Sequence, residues 1–519
     1  MTGTEFEQIT DKFVEWLDTV GIEVSKNVKI ADSRSDHQGR CMVCVEDVKE
    51  GDQLFSVPNE ALLNVTTGSL GEVSSEIKEA LVSKVEHWEG LILTILYEWK
   101  YQGEKSKWWP YLKVLPEEFD TLIYWEDQEL ENLKPSLVLE RLGIEESKAM
   151  YERVGELMRE FKVEDKIGEV SYEEFQRVAS WIMAYSFDKD ISGGDDEEEE
   201  KEEAQEEQEE EAEHGDETPN SIATDGSIKC MIAVADILNS DTNLVNANII
   251  YDDSGLICCA TKDIKAGEQV YNIYGNHPNA EILRRYGYVE WNGSKYDFGE
   301  VTLDNILNTL SEKYNTSREV LDKAVDILRE DEKVQELWDY EDVVLDNYDC
   351  YADGEIIPEA ASVIQVLYVL LQSPENVAQL DEGNLTRLLQ RIVKKCQQLL
   401  ESGRVTQSVH EIWQLVVNKR LQMYPESKAD QLSEDNIKAT FSKSKSEQRK
   451  LMAWCVLECE RKALTNCLDG VTKQFKLIDD EKLLKNVLKR PAESEPAGNG
   501  KRKSRIVKRP KKRANNDDD

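Results

Sequence analysis

The chain has 519 residues, 40% of them hydrophobic, with a formal net charge of −42. This length allows two or three domains with sizeable cores. No run of about 18 uncharged apolar residues occurs, and the acidic start Met1-Thr2-Gly3-Thr4-Glu5 lacks the basic and apolar regions of a secretory signal, so a soluble, intracellular protein is expected.

In chain order, residues 4–20 predict an amphipathic helix. Phe6, Ile9, Phe13 and Leu17 recur at helical spacing, Thr4 and Glu7 form a capping-box pair, and Gly21 follows as a stop. Short strand-like runs come next at 28–30, 41–45, 53–57 and 62–64, punctuated by Gly51-Asp52 and Pro58. Cys41 and Cys44 have CxxC spacing, but there is no second such pair and only five histidines. Reduced core cysteines are expected and no metal site is assigned. From about 75 to 187 the pattern turns helical, with apolar stripes at Leu91, Ile92, Ile95 and Leu96, at Met150, Val154, Leu157 and Met158, and at Phe175, Val178, Ile182 and Met183.

The charge is unevenly spread. Residues Asp195 to Glu217 hold 16 acids against one lysine, too polar a stretch to offset its ordering entropy, so a disordered loop of about 190–225 is expected. Strand-like runs return at 231–234, 247–251 and 256–260. Beyond 300 the pattern is helical, at 320–328, 385–400, 409–421 and 448–464. The end is basic: Lys489-Arg490, Lys501-Arg502-Lys503, Arg505, Lys508-Arg509 and Lys511-Lys512-Arg513. Such a bipartite tail reads as a nuclear localisation signal, with non-specific RNA affinity as its rival.

Two stretches carry candidate chemistry. In Ala235-Asp236-Ile237-Leu238-Asn239-Ser240-Asp241 an apolar run passes straight into polar residues. That is either a turn after a strand or a set of polar groups beside an apolar wall. In the segment Gly267 to Tyr288, four tyrosines (271, 274, 286 and 288) crowd together, two of them before glycine. Tyrosines in a half-buried sheet are usually structural.

Together these stretches resemble the SET domain, in the branch of the plant Rubisco lysine methyltransferase and vertebrate SET-domain protein 6. Further blocks agree in order: Gly39-Arg40 with Val45, Gly51-Asp52, Leu54-Phe55 and Val57-Pro58; Lys107-Trp108-Trp109-Pro110-Tyr111-Leu112 with Leu115-Pro116; Trp181 with Met183-Ala184-Tyr185-Ser186-Phe187; and the helical region beyond 300. The likeness covers about 22–480, and the acidic loop and basic tail are most like the fungal ribosomal lysine methyltransferases.

The resemblance implies an α+β SET fold with a helical insertion, followed by an all-α domain. Its limits would be an N-terminal helix at 1–21 and a SET domain at 22–275 with its insertion at about 66–187. A post-SET segment at 276–299, a helical substrate-binding domain at 300–485 and a disordered tail at 486–519 would follow. It implies a transfer of methyl from S-adenosylmethionine to a protein lysine, with Tyr274 as catalytic residue. Asp36, His37, Gln38, Tyr185, Asn239, Ser240 and Tyr286 would hold the cofactor, and Trp108 and Asp236 the substrate side. Two departures stand out: Ser240 replaces the family's usual histidine, and His37-Gln38-Gly39 lacks an extra glycine. His277 falls outside the matched positions and reads as surface or structural. The expected partner is a basic protein of the 60S ribosomal subunit, with no specific nucleic acid and no membrane, and the expected state a nuclear monomer. A histone lysine or a protein histidine is the alternative acceptor. A non-catalytic acidic scaffold is the other class, against which the presence of both Tyr274 and Tyr286 argues. The acidic loop is either a solvated spacer or a device that attracts a basic substrate.

Overall fold

The computed structural model describes residues 3–36, 38–190, 222–252, 255–338, 342–373 and 377–487. The acidic loop, the basic tail and His37 lie outside these described residues. A first helix, Gly3–Thr19, buries Phe6, Phe13, Trp16 and Leu17 along one stripe, and Gly21 follows in the left-handed region at φ 79°.

The strands that follow are β1 (Glu23–Val24), β2 (Val28–Asp32), β3 (Arg40–Cys44), β4 (Gln53–Pro58), β5 (Ser186–Asp190), β6 (Ser227–Met231), β7 (Asn239–Ser240), β8 (Ala247–Asp252), β9 (Gly255–Ala260) and β10 (Gln269–Asn272). They form two four-stranded sheets, ordered β1-β4-β9-β8 and β2-β3-β10-β7, and a β5-β6 pair. Cys41 and Cys44 both lie in β3 with buried side chains. Between β4 and β5 sit the inserted helices, chief among them His87–Leu96, Ile144–Glu160 and Tyr172–Tyr185, each bearing one of the three expected stripes, except that Met183 is exposed and Trp181 is buried beside Ile182 instead. Sheets, first helix and insertion share one core that runs from Phe13 through Phe55, Trp108 and Phe175 to Val270.

Two strand assignments differ. Only Met231 of 231–234 is in a strand, the end of β6, while Ile232, Ala233 and Val234 are fully buried and turn into a short helix, Ala235–Ile237. Of 62–64, Leu63 alone bridges, to Met231. Both runs cross the core where apolar contacts, not a ladder, hold them.

Beyond 300 the helices Arg318–Glu330, Pro358–Leu371, Glu382–Leu400, Gln407–Met423 and Lys445–Asn466 build a second core. Two small strand pairs, Phe298–Thr302 with Asn347–Tyr351 and Arg404–Thr406 with Lys476–Ile478, interrupt the helices and were not legible in the pattern. A third cluster, including Leu122, Leu133, Leu283 and Val456, joins the two cores. Polar bonds cross the same junction. Arg449 reaches Asp120 and Glu129, and Arg420 donates to the carbonyls of Glu300 and Pro135, both at 2.9 Å. None of the described helices is long and apolar enough to cross a membrane.

Candidate active site

The site forms where two distant stretches cross. β10 pairs antiparallel with β3 on one side and parallel with the two-residue β7 on the other, setting Tyr271 against Asn239 and Asn272 against Ser240. The side chain of Asn246 imitates a further strand residue. Its carbonyl accepts the Tyr271 N–H at 2.8 Å, and its amide donates to Gln269 O at 2.9 Å. Buried amide bonds of this kind satisfy a backbone that would otherwise be costly to bury.

Just past β10 the chain turns through Gly275, at φ 140°, where an added Cβ would fall 2.5 Å from the His277 ring. The turn sends Tyr274 back across the crossing. Its hydroxyl donates to Leu238 O at 2.6 Å, and its backbone N–H donates to Ser240 Oγ at 3.2 Å. Ser240, which departs from the family's histidine, therefore holds the backbone of the tyrosine turn. Tyr288 donates to Ser240 O at 3.4 Å.

Pro278 then precedes the helix Asn279–Tyr286, with Glu281 in its first turn and Arg284 and Arg285 in its last, the arrangement that the helix dipole favours. Gly287, at φ 77°, closes it, packed so near the backbone of Asp120 and Thr121 that a Cβ would approach within 2.7 Å. This end places Tyr286 with its ring 4.9 Å from that of Tyr274 and its hydroxyl donating to Tyr274 O at 3.2 Å. His277 packs its ring 6.1 Å from Tyr286. Asn279 and Glu290 fix the following segment by exchanging bonds of 2.7 and 2.9 Å, and Glu290 also accepts the Thr242 N–H at 2.7 Å.

The far wall comes from the insertion. Trp108 is fully buried, and Tyr111, three residues on in the same short helical turn, donates its hydroxyl to Asp236 Oδ2. Trp16 of the first helix stacks on Tyr111 at 6.4 Å and 7° and edges onto Trp108 at 6.1 Å. Tyr185, the last residue of its helix, bears electrostatically on Tyr274 and is itself acted on by Asp236.

The structure thus gathers Trp108, Tyr185, Asp236, Asn239, Ser240, Tyr274 and Tyr286 into one place. Gln38 lies elsewhere, at the start of β10, where it accepts from Gln269 at 3.1 Å. Asp36 ends the short helical turn of its loop. Sequence reasoning gave no role to Tyr111, Tyr288 or Trp16. Tyr111 was findable: at i+3 from Trp108 it shares a helix face with it.

Electrostatically the site favours the protonated forms of its acids. Burial pushes the hydroxyls of Tyr274, Tyr185 and Tyr111 well above the ordinary tyrosine range, and burial likewise holds Asp236 well above the usual carboxylate range. Three buried polar atoms here have no partner among the described residues: Asp236 Oδ1, Asn239 Nδ2 and Trp108 Nε1. An orphaned buried donor or acceptor costs about 1–3 kcal/mol, so such atoms point to a ligand that completes them.

The SET-domain family model matches residues 39–275. The chain is 42% identical to Ribosomal lysine N-methyltransferase 4 of Saccharomyces cerevisiae over 503 residues, covering 96% of this chain and 99% of that protein. It is 30% identical to the N-lysine methyltransferase SETD6 of Mus musculus over 284 residues, 54% of each chain. Among solved structures, Rubisco LSMT bound to AdoMet shares the fold at TM-score 0.53 and 19% identity, over 92% of this chain and 93% of that one.

Proposed function

Because the chain belongs to the SET-domain protein-lysine methyltransferases, we propose that it methylates a lysine of a large-subunit ribosomal protein with S-adenosylmethionine as donor. The observation that carries this reading is the β7–β10 crossing, which sets Tyr274, Tyr286, Asn239 and Asp236 together around three unsatisfied polar atoms. The ribosomal substrate rests on the likeness to the yeast ribosomal methyltransferase over nearly the whole of both chains.

The residues present suit the donor. Asn239, with its orphaned amide, together with Ser240, Tyr286 and Tyr185, would hold it, and Gln38, beside Gln269 at the start of β10, would join them; the resemblance adds Asp36 and His37 to this set. When bound it supplies a methyl on a positively charged sulfur, so nitrogen–carbon bond formation needs only a neutral amine. Lysine's ordinary pKa near 10.4 makes that amine cost roughly 4 to 5 kcal/mol at pH 7. Buried aromatic walls disfavour the charged ammonium, and a neighbouring positive charge does so further. Trp108, Tyr185 and Tyr286 would line this dry passage, and aromatic faces also guide a cationic side chain.

Tyr274 keeps its proton at neutral pH, because burial and the surrounding tyrosines raise it. It therefore orients the amine and excludes water and does not serve as a base. Its own O–H is already fixed by the Leu238 carbonyl, so its oxygen lone pairs are the part free to face an incoming amine.

On this reading the chain acts as a monomer in the nucleus, imported by the basic tail, without membrane or specific nucleic-acid partners. The test is incubation of the purified chain with labelled S-adenosylmethionine and ribosomal extract, followed by identification of the labelled protein. Label on a large-subunit protein lysine is expected. Label on histones or on histidine, or none, would overturn the assignment. A reporter fused to residues 486–519 that stays out of the nucleus would overturn the localisation.

A further inference from the structure

The proposed chemistry leaves one question that the geometry addresses: where the lysine proton goes. The surrounding tyrosines are poor acceptors, since Tyr111, Tyr185 and Tyr274 are all held protonated by burial. Tyr274 and Tyr111, moreover, already commit their protons to the Leu238 carbonyl and to Asp236. Asp236 differs from all of them. Its Oδ2 is fixed by Tyr111, whose ring is itself stacked on Trp16, while its Oδ1 is buried and unpartnered among the described residues. One oxygen is therefore anchored, and the other is buried with its hydrogen-bonding capacity unused.

We infer that Asp236, through Oδ1, takes the proton from the substrate ammonium, and that Tyr111 is the positioning residue that holds the carboxylate for this step. The inference rests on the methyl-transfer reading. In the step, the N–H bond of the lysine breaks, its electron pair stays on nitrogen as the attacking lone pair, and an O–H bond forms at Oδ1. The proton that Asp236 carries in the free chain leaves to solvent as the complex assembles, and the one taken from lysine stays on Oδ1 when product is exchanged.

The electrostatics fit such a role. Burial raises the Asp236 carboxyl well above its ordinary range and so favours its protonated form, and the Tyr111 bond opposes the rise. Two incoming positive charges, the ammonium and the donor's sulfur, favour ionisation of the acid and loss of the ammonium proton alike. The assembled site then holds one proton between oxygen and nitrogen where the separate partners held two. Assembly of the complex should therefore release about one proton at neutral pH, the coupled behaviour of a pair and not of either group. The groups facing Asp236 from the packed elements are Tyr111, Tyr185 and Tyr274, and none of them titrates near neutrality.

The experiment uses the full chain with sinefungin, a positively charged donor analogue that cannot transfer methyl, and free lysine. Calorimetry in buffers of different ionisation enthalpy counts protons. Wild type should release about one proton on lysine binding. Asp236→Asn should bind sinefungin equally well and release almost none. In turnover with labelled donor and ribosomal extract, Asp236→Asn should lose about 10²–10⁴-fold in kcat, with a residual rate that climbs with pH. Tyr111→Phe, which keeps the stacked ring, should move the acid limb of the kcat profile to higher pH, because the carboxylate loses its donor. A proton count unchanged in Asp236→Asn, or a change in KM alone, would overturn the inference. So would an unmoved acid limb in Tyr111→Phe, which decides the matter should Asp236→Asn fail to fold. A wild-type chain that does not bind sinefungin would sink the methyl-transfer reading itself, and this inference with it.

Discussion

Tyr274 donates its hydroxyl to the carbonyl of Leu238 at 2.6 Å, although 36 residues separate the two in sequence. The bond ties the tyrosine to the very turn that carries Asp236 and Asn239. Tyr274→Phe removes the hydroxyl while leaving the ring against Tyr286. The expected variant is folded, binds S-adenosylmethionine, and transfers methyl about 10²-fold or more slowly, the scale seen when a preorganised polar group is lost. Labelled-methyl transfer at saturating donor checks it, and undiminished transfer would remove Tyr274 from the mechanism.

Asn239 offers a cofactor test that is separate from chemistry. Its Nδ2 is buried and without a partner among the described residues, while its backbone is fixed opposite Tyr271. Asn239→Ala removes the donor without disturbing the ladder. Loss of one buried hydrogen bond of about 1–1.5 kcal/mol corresponds to roughly tenfold weaker donor binding. Equilibrium binding of S-adenosylmethionine measures this directly, and unchanged affinity would show that the amide faces something else.

Glu281 links the stability of the site to pH. Burial alone would raise its carboxyl, but Arg284, Arg285 and Arg141 around it bring it down to about 2. A carboxylate depressed in the folded chain stabilises the fold above its unfolded pKa near 4.5, and that stability is lost as pH falls toward 2. The shift corresponds to about 3 kcal/mol. Glu281→Gln should therefore lower the melting temperature at pH 7, with the gap to wild type closing between about pH 4.5 and 2. Since Glu281 lies in the helix that ends at Tyr286, donor binding should weaken in the same variant.

Much of this was legible in the chain, for reasons specific to each element. The first helix and the three insertion stripes show a 3.6-residue period, which depends only on local sequence. The crossing of β7 with β10 does not. A two-residue strand has no periodicity, and its parallel partner lies some thirty residues away, so only the combined likeness of the 235–241 and 267–288 blocks to a known family pointed to it. Trp16 was hidden differently: it lies three residues after Phe13, on a stripe already explained as core, yet its ring backs Tyr111 and hence Asp236. The apolar run at 231–234 has the pattern of a strand but threads the core, because continuous burial looks the same in sequence whether a segment sits in a ladder or not.

Glu460 gives the opposite pH signature to Glu281, at the junction between the SET core and the helical domain. It accepts the hydroxyl of Ser136 at 2.5 Å and that of Tyr424 at 2.7 Å. Burial pushes its carboxyl up to about 7, with Glu300 adding to the rise, against the hydroxyl bonds and Arg420. Below about pH 4.5 folded and unfolded chains both hold this proton, and its stabilising effect is complete. As pH rises from 4.5 to 7 the unfolded chain ionises while the folded one does not, so stability falls across that window, by about 3 kcal/mol at most. Glutamine imitates the protonated acid, with one acceptor and one donor to meet the two hydroxyls. Glu460→Gln should thus match wild type near pH 4.5 and be the more stable protein at pH 8, as read by melting temperature across that range. A difference that stays constant with pH would mean that Glu460 is ionised in the folded chain, stabilised by Arg420 across the same junction.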